Sequence, residues 1–91
     1  MIVKRRGKLE VIADILRSIQ EKEGKIKPTH LLYKSNLSHA KLKEYIDMLM
    51  EKGMIGEQSV KGRKMFFIKE QGYKFLSEFE RIKEFSDSFG L

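Results

Sequence analysis

A chain of 91 residues without a cysteine has room for one modest hydrophobic core, and it excludes both a disulfide framework and a thiolate metal site. No apolar run approaches the roughly 18 to 20 residues of a membrane span. Lys4-Arg5-Arg6 directly follows Met1-Ile2-Val3 and leaves no apolar core for a signal peptide, so a cytoplasmic location is expected. The net charge of +6 is unevenly placed: residues 1–69 hold 16 Lys and Arg against 8 Asp and Glu, and residues 70–91 hold 3 against 5. This asymmetry predicts that the first three quarters meet a polyanion while the last quarter serves another purpose, such as self-association.

Leu9, Ile12, Ala13, Leu16 and Ile19 recur at helical spacing and predict a first helix whose natural stop is Gly24, with Glu10, Asp14 and Arg17 on its charged face. Pro28 suits the first position of a second helix, because proline lacks only an amide that the first turn leaves unpaired. That helix, to about Lys34, is expected to bury Leu31 or Leu32 together with Tyr33. Ser35-Asn36-Leu37 then forms a turn, Asn36 tolerating the left-handed conformation and Leu37 filling the angle between helices. Ser38 is placed to N-cap a third helix, in which Leu42, Tyr45, Ile46 and Leu49 make the buried face and Gly53 closes the last turn. His39, Lys41 and Lys43 are left near its start. This is the second half of a helix-turn-helix, in which the N-terminal part of the second helix touches base edges and phosphates.

After Gly53 the pattern turns extended. Met54 to Ser59 and Met65 to Lys69 flank the loop Val60-Lys61-Gly62-Arg63-Lys64, a hairpin whose turn uses Gly62 for a positive φ. Three helices and a two-stranded hairpin make a winged helix, mainly α, with Lys61, Arg63 and Lys64 on the wing. From Glu70 to about Asp87 the chain is helical again. Phe75, Phe79, Ile82 and Phe89 follow a coiled-coil seam that Leu76 and Phe85 widen, which predicts a homodimer through this helix. The expected units are residues 1–69, a DNA-binding winged helix-turn-helix, and residues 70–91, a dimerisation helix.

No catalytic constellation is evident. His30 and His39 have neither cysteines nor an HExxH-type partner to make a metal site, no glycine-rich loop precedes a helix, and Glu21/Glu23 and Glu78/Glu80 lie among exposed charges. No enzyme, cofactor, metal or small-molecule ligand is expected.

Leu9 to Leu16, Thr29 to Tyr33, Asn36-Leu37-Ser38 leading to Leu42 and Tyr45, Gly53-Met54-Ile55, and Glu70-Gln71-Gly72 with Phe75-Leu76 together resemble an archaeal winged helix-turn-helix family. That family includes small chromatin-associated proteins dimerised through a C-terminal coiled coil, and transcriptional regulators carried by archaeal viruses and plasmids. The resemblance implies duplex DNA binding by a homodimer, at the nucleoid. Two positions depart from the family pattern: His39 stands where an aromatic residue is common, and Lys69 where a threonine usually caps the last helix. On this reading Ser38, His39, Lys41 and Lys43 enter the major groove and Lys61, Arg63 and Lys64 reach the backbone or minor groove. Lys27, Thr29 and Lys34 clamp phosphates, and Lys4, Arg5, Arg6 and Lys8 form a flexible basic arm. Glu44 and Asp47 confine contact to the start of the third helix. The competing expectation is a winged-helix protein-interaction module that touches no DNA.

Overall fold

The computed structural model describes residues 6–91. Along the chain run α1 (Lys8–Gln20), β1 (Lys25–Ile26), α2 (Pro28–Ser35), α3 (His39–Glu51), β2 (Ile55–Val60), β3 (Arg63–Ile68) and α4 (Glu70–Ser88). Lys4 and Arg5 of the expected basic arm lie outside the described residues.

Helix α1 is the hub. It buries Val11, Ile12, Ala13, Ile15, Leu16, Ser18 and Ile19, a wider face than the predicted stripe, because α2, β3 and α4 all pack against it. Leu9, expected in the stripe, is exposed at the helix entrance. Ser18 is tolerated inside because its Oγ donates to the carbonyl of Asp14 at 2.8 Å. The helix ends in a Schellman motif: the Gly24 amide reaches the Ile19 carbonyl at 3.0 Å and the Glu23 amide reaches that of Gln20 at 3.1 Å, with Glu23 in the left-handed region at φ 60°.

The sheet has three antiparallel strands in the order β1-β3-β2, not the two expected. β1 pairs Lys25 with Phe67 and Ile26 with Phe66. Two residues are too few to show alternation in sequence, and the strand exists because β3 offers it a free edge and Ile26 a place in the core. The hairpin is tighter than predicted. β2 and β3 pair from Ile55↔Ile68 to Val60↔Arg63, which leaves only Lys61 and Gly62 in the turn. Both have positive φ, 53° and 77°, as a two-residue hairpin turn of the I′ kind requires. Arg63 and Lys64 therefore belong to a strand.

In α2, Pro28 occupies the first turn, Leu31 is fully buried and Leu32 half-buried. Tyr33 points outward, 88% exposed, against expectation. Two residues after Leu31, it lies about 200° around the helix and faces away from α1. Asn36 takes the left-handed conformation (φ 56°, ψ 35°) and Leu37 packs against the core. Helix α3 buries Leu42, Ile46 and Leu49, with Tyr45 at the margin.

α4 begins inside this core. Its Gly72 lies so close to the hairpin base that a Cβ there would collide with the Met54 carbonyl oxygen and meet Ile68 at 2.8 Å. Leu76, expected at a dimer seam, is only 2% exposed and belongs to the chain's own core. Phe75 and Phe79, stacked with ring centroids 6.1 Å apart, lie half-buried against that core. Beyond them Ile82, Phe85 and Phe89 are 67%, 64% and 66% exposed. No helix among the described residues is long and apolar enough to cross a membrane.

Candidate nucleic-acid interface

Ser38 fixes the entrance to α3. Its backbone is extended (φ −67°, ψ 158°) and its Oγ accepts from the Lys41 amide at 3.1 Å, so it satisfies one of the donors that a helix start leaves unpaired. No acidic residue occupies the first turn, and the positive end of the helix dipole is left open beside His39. His39, Ala40, Lys41 and Lys43 are all exposed.

A groove of about 300 Å³ runs between the start of α2, the side of α3 that carries His39, Lys43 and Asp47, and the wing. Leu42, Ile46 and Phe66 are among the apolar side chains that floor it. Thr29, His39, Lys43 and Lys64 stand on its walls, so the fold brings together four predicted site residues from three elements. Asp47 and Glu57 stand there as well. Lys43 pairs with Asp47 at 3.1 Å, Lys64 with Glu57 at 2.9 Å, and Lys41 with Glu44 at 3.4 Å. Counting Glu51, α3 carries two lysines against three carboxylates. What α3 offers an anion is therefore the open end of its capped first turn, not its net charge.

Other predicted residues are placed differently. Lys61 and Arg63 stand exposed at the wing tip and make no ion pair among the described residues. Lys34 turns toward the end of α1 and pairs with Glu21 at 3.0 Å. Arg6 is an anchor, not part of a flexible arm: its guanidinium donates to Asp14 at 2.9 Å and to the Ser35 carbonyl at 2.9 Å, tying the chain entrance to the end of α2. Glu57 escaped sequence reasoning, because only hairpin register puts it beside Lys64. The same holds for the environment of His30, where partial desolvation and then the charges of Lys22, Lys34 and Lys27 hold the imidazole below its ordinary value. This second cluster of positive charge flanks α2.

A capped second helix set across a left-handed turn from the first, with a hairpin wing beside it, defines a winged helix-turn-helix protein. Residues 5–87 match the winged helix-turn-helix family model, and the chain belongs to that family. Among solved structures it is similar to Sso10a-2, a DNA-binding protein from Sulfolobus solfataricus, with 25% identity and a TM-score of 0.78 over 92% of this chain and 85% of that one. It is also similar to F93 from STIV, a winged-helix DNA-binding protein, with 17% identity and a TM-score of 0.74 over 88% and 92%. F-93 of SSV1 is 23% identical, with a TM-score of 0.67 over 87% and 91%. Curated protein sequences gave no match.

Proposed function

We propose that this protein binds duplex DNA as a homodimer and acts at the nucleoid as a transcriptional regulator or chromatin-associated protein. The observation that carries the reading is the Ser38-capped, acid-free first turn of α3 standing beside a wing whose tip holds Lys61 and Arg63. The DNA-binding proteins with the same fold support it. In this arrangement Ser38, His39, Lys41 and Lys43 approach base edges and adjacent phosphates in the major groove. Lys61, Arg63 and Lys64 of the wing, with Thr29, Lys34 and the cluster around His30, approach the backbone.

Dimerisation is assigned to the outer half of α4. Phe75 and Phe79 bridge from the core, and Ile82, Phe85 and Phe89 supply an apolar surface that the protomer leaves uncovered. Pairing about a two-fold axis would present two α3 helices to one duplex and couple their binding. Fluorescence anisotropy of labelled duplexes over a salt series tests the function. Affinity should fall steeply and linearly on a log–log plot, since each phosphate contact releases counterion. Salt-insensitive or absent binding would point to a protein-interaction module instead.

A further inference from the structure

Two ion pairs face each other across the groove between α3 and the wing. Lys43 and Asp47 form one on the helix, and Lys64 and Glu57 form the other on the hairpin. The second pair is set by register: Glu57 lies opposite Phe66, and Lys64, two residues earlier on β3, points to the same face. The Lys64 ammonium is also 5.8 Å from the centroid of the Phe66 ring, so it is held in two ways.

Helix stability gives little reason for the acidic residues of α3. In both α3 pairs the lysine precedes the acid, the less favourable order for such pairs, and no basic residue balances the last turn.

We propose that Asp47 and Glu57 restrain non-specific association with DNA: they hold Lys43 and Lys64 in internal ion pairs and repel a phosphate backbone lying over the groove. The inference rests on the DNA-binding reading above. All four side chains are at least 41% exposed, so each pair is weak and a phosphate can displace the carboxylate from the lysine at small cost. The displaced carboxylate stays within a Debye length of the phosphate, about 10 Å at 0.1 M salt, and opposes it. A duplex that offers phosphates alone meets this repulsion in full. A duplex whose base edges also accept hydrogen bonds from the start of α3 offsets it, and stays bound at protein concentrations at which phosphate contacts alone no longer hold the protein.

The test compares the full-length protein with Asp47→Asn and Glu57→Gln combined, using anisotropy on unrelated duplexes of mixed sequence. Two like-charge contacts removed at a water-exposed distance should tighten binding about tenfold at 0.1 M salt. The salt slope should steepen by about one to two units as Lys43 and Lys64 engage phosphates. Lys43→Gln with Lys64→Gln should weaken binding in both backgrounds, and by a clearly larger factor in the Asn/Gln background than in the wild type, a coupling that a general charge effect would not produce. Wild-type binding with no gain in the Asn/Gln variant overturns this inference alone. Failure of both proteins to bind any duplex overturns it together with the DNA-binding reading.

Discussion

The hydroxyl oxygen of Ser38 accepts a 3.1 Å hydrogen bond from the amide of Lys41. One contact three residues long thus ends the turn after α2, starts α3, and sets the direction in which His39 and Lys41 leave the surface. Ser38→Ala should cost about 0.5 to 2 kcal/mol of stability, measured by urea denaturation with an unchanged m-value. DNA affinity should fall further than that of a control variant equally destabilised in the core.

The wing tip offers charge without fixed geometry, since Lys61 lies in the two-residue turn, Arg63 directly follows it, and both are exposed. Replacing both with Ala should weaken binding to all duplexes alike and flatten the salt slope by about one to two units. Unaltered affinity for unrelated sequences would remove the wing from the interface.

α4 has a first half packed into the core and a second half that exposes Ile82, Phe85 and Phe89, and substitutions should separate the two. Leu76→Ala opens a cavity in the protomer core and should cost about 2 to 5 kcal/mol in thermal or chemical unfolding. Ile82→Asp with Phe85→Asp touches only exposed side chains. That variant should keep the far-ultraviolet circular dichroism of the wild type, sediment as a monomer, and bind DNA far more weakly. A wild-type protein that sediments as a monomer at tens of micromolar would refute the dimer.

Gly72 permits α4 to dock on the hairpin base, with no room for a Cβ beside the Met54 carbonyl. Gly72→Ala gains helix propensity but forces backbone apart, so it should destabilise by about 1 to 3 kcal/mol. A Tm at or above that of the wild type would contradict the packing.

His30 makes stability depend on pH in a defined direction. Its folded value lies below the ordinary 6.5, through desolvation and then Lys22, Lys34 and Lys27, so between the folded value and 6.5 the unfolded chain binds the proton more readily. Its contribution is therefore complete above 6.5, where both states are neutral. It is lost as pH falls from 6.5 through the lowered folded value. His30→Gln should flatten the pH dependence of Tm across that window and leave it unchanged at pH 8.

Much of this molecule is encoded in short stretches. The Pro28 start, the left-handed Asn36, the Ser38 cap, the hairpin around Gly62 and the apolar spacing of α1 and α3 each depend on residues within a turn or two of one another, where local sterics and hydrogen bonding choose the conformation. Other features depend on contacts between residues far apart in the chain. β1 forms because β3 has an edge to pair; Arg6 is anchored because Ser35, 29 residues away, turns a carbonyl toward it; Glu57 reaches Lys64 only through hairpin register. Tyr33 and Leu76 show the same division. Both are large apolar groups on helices, and the side on which α1 lies sends Tyr33 to solvent and Leu76 to the core. Periodicity names the faces of a helix, but packing against the rest of the chain decides which face is buried and how far along the helix that burial runs.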